Sequence, residues 1–397
     1  MSFFVIVVVV LSLMYGYIGW RIITPAAFSL PVALLLWALL IGLLALPFVS
    51  VTMRMHGNVS PWADAVAWTA YLTFGFLTLL FALLIAKDLV YLLVVLAQKL
   101  THVFINPVGA DSGLADAVDP ERRRLLTNTL NLGLLGVTGA LTGYGMFEAM
   151  RTPRVVELDI PITELPPDLN GFTIVQISDI HASSTVKRPF IQEVVDRVNE
   201  LRPDLVALTG DLVDGSVEQL RDDVAPLADL KAPAGLFFIT GNHDYYSGVE
   251  PWLEEVRRLG FTVLLNEHRV IERGTGRLLM AGVTDFSGGQ SSPEHRTDPQ
   301  KAISGAPKCH AKILLAHQPK SVYEAAKAGF DYVLSGHTHG GQYFPYHFLA
   351  AMAQPYISGL HQMGGTRIYV SRGTGYWGPQ IRIGAPSEIT VHRLISA

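Results

Sequence analysis

Five short polar clusters between residues 179 and 341 of the 397-residue chain carry side chains that could do chemistry together: Asp179-Ile180-His181, Gly210-Asp211, Gly241-Asn242-His243-Asp244, His317, and Gly336-His337-Thr338-His339-Gly340-Gly341. Carboxylate oxygens and imidazole nitrogens suit Mn, Fe or Zn ions. Cys309 is the single cysteine, so a thiolate-built structural zinc cage and an internal disulfide framework are both excluded. The inventory is large enough for two divalent cations. Asp-x-His and His-x-His each project two ligands one way, because residues i and i+2 of an extended chain share a face. The neighbouring glycines let backbone and ion approach closely. Taken singly, an Asp-x-His is a turn carboxylate with a surface histidine, and a lone His317 is a satisfied core residue. Five in series, each starting where an apolar run ends, are not explained that way.

Those apolar runs are the elements that must position the clusters. Residues 172–178, 204–209, 235–240, 278–284, 311–316, 330–335 and 367–371 read as strands, several of them continuous apolar runs suited to a sheet covered on both faces. Residues 188–201, 217–230, 251–259 and 319–328 read as the helices between them. This is α/β texture, and open α/β sheets bind ligands beyond the carboxyl ends of their strands. The region 151–397 is long enough for one well-buried α/β domain.

The ordered series Asp179-x-His181, Gly210-Asp211-x-x-Asp214, Gly241-Asn242-His243-Asp244, His317 and Gly336-His337-x-His339 resembles the calcineurin-like metallophosphoesterases over roughly residues 170–395. The run 336–342, the later Ser371-Arg372-Gly373 and the apolar front end resemble the bacterial membrane-associated or exported branch of that family. The resemblance implies a two-sheet sandwich flanked by helices. It also implies that Asp179, His181, Asp211 and His339 hold one metal, that Asp211, Asn242, His317 and His337 hold the other, and that Asp211 bridges both. His243 is then the proton donor or oxyanion stabiliser, Asp244 orients it, and Asp214 is structural rather than ligating. Two cations about 3.5–4 Å apart would share and acidify a water, so that a metal-bridging hydroxide attacks phosphorus in line. No Ser or Cys motif argues for a covalent route. Arg372, following a late strand, is a candidate for binding a phosphate oxygen or for a surface salt bridge.

The first 150 residues are of another kind. Half of the whole chain is hydrophobic and only 16% is charged, which is unlike a soluble enzyme. The excess lies in residues 3–20, 31–51, 65–86 and 125–150, each close to or above the ~20 apolar residues that span a bilayer. Lys87 and Asp88 interrupt the third before a further apolar run, 89–97, which reads as the same helix continuing, with a separate fifth crossing as the alternative. The first stretch lacks the basic start of a cleaved signal peptide. Lys99, Arg122, Arg123 and Arg124 flank the third and fourth stretches, against Arg54 alone between the second and third. Positive flanks mark the cytoplasmic side, so the loop 98–124 is expected inside and everything after residue 150 outside, with Arg151 and Arg154 as opposing charges. The three arginines before Leu125 either anchor a helix at the lipid surface or form an internal twin-arginine export signal.

The expected protein is a membrane-anchored phosphoesterase of a bacterial inner or cell membrane, with residues 1–150 as a helical membrane domain and 151–397 as an extracytoplasmic catalytic domain. Its substrate is expected to be a phosphodiester in a phospholipid, a lipid-linked intermediate or an envelope component. The alternatives are a general nucleotide or sugar-phosphate phosphoesterase merely localised by its spans, and a transporter or receptor with a metal-binding module. Against the last, the spans show no mid-helix acidic residue and no Gly/Pro-broken pair. A net charge of −4 gives no footprint for nucleic acid, and oligomeric state is not legible. The aromatic-rich segment 343–360, which contains His347, reads as a packed lid or a substrate-facing flap; the remaining histidines, His392 among them, read as surface or packing residues.

Overall fold

The computed structural model describes residues 2–105 and 119–397, so the middle of the loop expected on the cytoplasmic side, 106–118, lies outside the described residues. The chain divides into two compact units: residues 1–56 with 65–144, and residues 57–64 with 145–397.

The first unit is built on four helices, α1 (Ser2–Ala26), α2 (Leu30–Met55), α3 (Pro61–Ile105) and α4 (Pro120–Met150), the last two reaching beyond it. All four are long and apolar enough to cross a membrane. The run 89–97 does continue α3 without a break, giving a helix of 45 residues. Met14, Tyr15, Ile18, Leu77, Leu80 and Leu84 form the interior, while Leu34, Leu35, Leu39 and Ile41 of α2 point outward, as lipid-facing side chains do. Asp88 is not a solvent-facing surface charge. It is paired with Arg21 and accepts from the Tyr17 hydroxyl, while Lys87 Nζ donates to Asn131 Oδ1 at 3.0 Å and Asn131 Nδ2 donates to the Arg21 carbonyl at 2.8 Å. These bonds tie α1, α3 and α4 together. Because α3 runs on past residue 86, Asp88 stands mid-helix, which corrects the expectation that no acidic residue lies there; its partners are distant in sequence.

The second unit contains twelve strands in two six-stranded sheets. One sheet runs β1 (Arg154–Ile162), β12 (Glu388–Ser396), β2 (Thr173–Ile177), β3 (Leu205–Thr209), β4 (Leu236–Ile239), β5 (Thr262–Val263). The other runs β10 (Gly359–Met363), β11 (Thr366–Val370), β9 (Tyr332–Ser335), β8 (Ala311–Leu315), β7 (Gly276–Gly282), β6 (Glu267–Arg273). The blocks β2-β3-β4 and β7-β8-β9 are parallel. Helices α5 (Arg188–Glu200), α6 (Val217–Val224), α8 (Val249–Arg258) and α11 (Val322–Ala328) carry most of the crossovers, joined by the short turns α7 (Asn242–Tyr246), α9 (Gly288–Ser291) and α10 (Pro299–Ile303) and by helix α12 (Tyr346–Ala353).

Strand alternation builds the layers. Ile174, Leu205 and Ala207 of the first sheet pack with Met280, Ile313, Leu315 and Leu334 of the second. Their neighbours Val175, Val206 and Leu208 face α5, α6 and α8, and Leu279, Leu314 and Val333 face α10 and α11. The result is the expected sandwich flanked by helices. The seven strands read from the sequence are all present, whereas β1, β5, β6, β10 and β12 are not legible there: β5 is two residues long, β1 and β6 carry charges, and β1 a proline. Residues 217–230 are two helical pieces, because the chain tightens into a 3-10 turn at Ala225–Asp229 around Pro226.

Between the sheets lies a buried polar string. Gln176 uses its amide nitrogen on Thr209 Oγ1 and the Ser335 carbonyl, so its oxygen faces His392 Nε2 at 3.1 Å and that nitrogen must carry the proton. His392 Nδ1 then accepts from the Tyr332 hydroxyl at 2.8 Å. Burial pushes the His392 pKa down to about 3. A depressed histidine contributes stability that is present above its unfolded pKa and is lost as pH falls below it. The folded state should therefore lose about 2 kcal/mol between neutrality and pH 5 through this residue. Denaturant melts of the wild type and His392→Gln should show that slope flattened in the variant; equal slopes would remove His392 from the acid response.

Candidate metal centre

All seven candidate ligands sit just beyond the carboxyl ends of parallel strands: Asp179 and His181 after β2, Asp211 after β3, Asn242 after β4, His317 after β8, His337 and His339 after β9. Both sheets open toward the same edge, and the side chains converge. Asp179, His181 and His339 present ligand atoms within 4.8 Å of one another, as do Asp211, His317 and His337. His181 Nε2 lies 3.0 Å from His339 Nε2, and His317 Nε2 lies 3.2 Å from His337 Nδ1. Between the two sets stands Asp211, whose Oδ2 is 3.1 Å from His317 Nε2 and 3.7 Å from His181 Nε2.

Three further features fit divalent cations. The Asn242 side-chain oxygen is buried without a hydrogen-bond partner, an orphan that an ion would satisfy. Asp179 and Asp211 are fully buried carboxylates in one pocket, an arrangement that calls for compensating positive charge. Asp179, His181, Asp211, His337 and His339 all have φ between 51° and 73°, the left-handed region that non-glycine residues rarely occupy. Strain concentrated on five of the seven is what a functional site held by its surroundings looks like. The motif glycines have a steric reason: a Cβ on Gly241 would come 2.2 Å from Asp211 Oδ1, and one on Gly336 would come 2.2 Å from Asp179 Oδ2.

The surrounding groups fix the rings. His317 Nδ1 donates to the Thr209 carbonyl at 2.8 Å, which leaves Nε2 free as a ligand atom. Asp214, which the sequence reading treated as structural, sets two imidazoles at once: Oδ1 is 3.1 Å from His181 Nδ1 and 2.6 Å from His243 Nδ1. The two imidazoles hold its carboxyl far below the usual range although burial works the other way. Burial would discharge His243, but Asp214 and Asp211 outweigh it and raise its pKa to about 9. Burial, aided by the charge on His317, pushes His337 down to about 3, so it is a neutral nitrogen ligand at pH 7.

One residue stands differently from expectation, and a second takes one of the two roles expected of it. Asp244 does not reach the His243 ring; its carboxylate accepts the backbone N–H groups of Gly241, Asp211 and Leu212 at 2.7–3.1 Å. It shapes the two loops, and the orienting contact to His243 is made by Asp214, because the helical turn α7 points residues 243 and 244 in different directions. Of the two roles expected for Arg372, a phosphate contact or a salt bridge, the structure shows the salt bridge. Arg372 Nη1 donates to buried Glu388 at 2.9 Å, and Glu388 also accepts the Tyr369 hydroxyl. The arginine beside the site is Arg382, fully buried, bonded to the carbonyls of Gly375 and Ala385 and 3.0 Å from His339 Nδ1. No motif marks it; its role follows from the chain returning past His339 after β11.

The sequence pattern of the calcineurin-like phosphoesterases matches residues 172–341, which contain all seven side chains. A Helicobacter pylori protein described as an uncharacterized metallophosphoesterase is 38% identical over 70% of this chain and 73% of its own length. The chain belongs to the calcineurin-like metallophosphoesterases. A "Transmembrane protein with metallophosphoesterase domain" from Danio rerio is 42% identical over 64% of this chain and 60% of that protein, so the match leaves two fifths of the fish protein unaligned. The Bacillus subtilis metallophosphoesterase YkuE is 32% identical over 69% of this chain and 98% of its own length. Membership carries the fold and a metal-dependent phosphoester chemistry, consistent with the donor set described above.

Proposed function

We propose that this metallophosphoesterase hydrolyses a phosphodiester of a phospholipid, lipid-linked or envelope compound at a bacterial cell membrane, with the catalytic unit on the extracytoplasmic side. The convergence of Asp179, His181, Asp211, Asn242, His317, His337 and His339 from five strand ends carries the reading, and the four apolar helices supply the reason for a lipid substrate. Asp179, His181, Asp211 and His339 would hold one divalent cation (Mn, Fe or Zn), and Asp211, Asn242, His317 and His337 a second. When bound, the pair supplies positive charge beside the phosphoryl oxygens and an acidified water. The chain's own groups do the rest. Asp214 keeps a proton on His243 Nδ1, which leaves Nε2 of the imidazolium to give its proton to the leaving oxygen. His243 is partly exposed at the mouth of the site, where a substrate oxygen can reach it.

The test uses the full-length protein in lipid nanodiscs. Stripping with a chelator should abolish ester hydrolysis, and Mn²⁺, Fe²⁺ or Zn²⁺ should restore it with two ions per chain. Hydrolysis indifferent to chelation would count against the centre. Faster cleavage of soluble nucleotide or sugar esters than of phospholipid diesters would favour the general phosphoesterase instead, and protease protection on intact cells would report sidedness.

A further inference from the structure

A cavity of about 180 Å³ opens directly beside the candidate metal centre. His337 and His339 form its polar end, and the rest of its lining is largely apolar, including Tyr346, Leu349, Ala353 and Trp377. The Trp377 ring lies 5.5 Å from the His243 ring, so one wall of the cavity packs against the group that is proposed to donate the proton.

One wall is α12, an unusual helix. It reads Tyr-His-Phe-Leu-Ala-Ala-Met-Ala, without a formal charge, yet none of its residues is buried. Tyr346, Leu349, Ala350 and Ala353 line the cavity, spaced i, i+3, i+4 and i+7, the period of one helix face. Phe348 on the opposite face is 56% and Met352 85% exposed, and Leu349 on the cavity face is itself 59% exposed, so the hollow lies open. The wall is nonetheless fixed in place. Before the helix, the Gln342 side chain bonds the backbone of Trp377 at 2.9 and 3.0 Å and the Pro379 carbonyl at 3.0 Å. After it, Gln354 Nε2 donates to Gln318 Oε1 at 3.2 Å, and Gln318 donates in turn to buried Asp285. An apolar helix held at both ends over an open apolar hollow gains its burial only from what enters that hollow.

Resting on the phosphoesterase reading, we propose that this cavity is the binding site for an apolar chain of the substrate, so that the enzyme selects phosphodiesters bearing an alkyl or acyl group next to the phosphorus. Selectivity would then come from α12 and Trp377, while the metals and His243 treat all diesters alike.

The test is a homologous series of p-nitrophenyl n-alkyl phosphodiesters, methyl to hexyl, with full-length Mn²⁺-loaded protein in nanodiscs. Burying each methylene should raise kcat/KM roughly two- to fourfold until the cavity is full. Ala353→Trp, which fills the cavity, and Leu349→Glu, which charges its wall, should each cut the hexyl-to-methyl ratio at least tenfold. Both positions are solvent-accessible, so neither change threatens folding. Met352→Gln, on the outer face, should leave the ratio intact. A flat series with an active methyl ester would overturn the inference and leave the phosphoesterase reading standing. An equal fall in Met352→Gln would also overturn it, since partition into the disc would then explain the selectivity. Failure to cleave any member after metal loading would sink the phosphoesterase reading, and this one with it.

Discussion

Asp211→Asn should lower kcat on any phosphodiester by on the order of 10³-fold and take bound metal from two ions per chain to one or none. Asp211 is the carboxylate that both candidate sites share: one oxygen lies between His317 and His181, and the other accepts the His243 backbone N–H at 2.8 Å. Asparagine keeps the shape and that hydrogen bond but removes the negative charge facing both ions. Burial opposes the charge on Asp211, but His317, His243 and His181 outweigh it; asparagine gives up that attraction yet keeps the side-chain volume and the hydrogen bond from the His243 N–H, so the variant should fold. Metal analysis by mass spectrometry, a thermal melt and steady-state kinetics on the same sample separate the outcomes. A folded variant that retains both ions and more than a tenth of wild-type kcat would remove Asp211 from the bridging role.

The second large effect concerns the proton. His243→Ala should slow hydrolysis of an ester with a poor alkyl leaving group by about 10²–10⁴-fold and of a p-nitrophenyl ester much less, because nitrophenolate departs without being protonated. Asp214→Asn gives the complementary test. The Asp214 carboxylate favours the charged form of His243, so the raised pKa extends activity upward in pH, and rate is lost as pH rises through that pKa. Removing the carboxylate lowers it, and the alkaline limb of kcat/KM should move toward acid by about one unit or more. The sign does not depend on where bound ions place the absolute value. Equal losses for both leaving groups in His243→Ala, or an unmoved alkaline limb in Asp214→Asn, would rule out His243 as the proton donor.

Much of this was legible in the chain. The strands that end in chemistry are among the most buried ones, and burial on both faces writes them as short, mainly apolar runs, 172–178, 204–209, 311–316 and 330–335, that stop at or just before a ligand. Strands β1 and β6 were harder to see because they are partly exposed, and their mixed polar and apolar residues look like loop. The long helices were visible because lipid tolerates few charges. The exception, Asp88, could be recognised as a partnered group only once Arg21 and Tyr17 stood beside it.

The sequence by itself determined which residue types stand at the strand ends, and with them a metal-binding chemistry, since donor type and short spacing are local. Only the tertiary structure decided the contacts made by groups that no motif joins. It gave Asp214 rather than Asp244 to His243, placed Arg382 against His339, and committed Arg372 to Glu388. The same holds for the apolar cavity, whose walls come from α12 and from Trp377 beyond β11. Spacing along a chain fixes which way neighbouring side chains point, but the partner of a buried charge is set by how separate segments pack, and that is not written in any one of them.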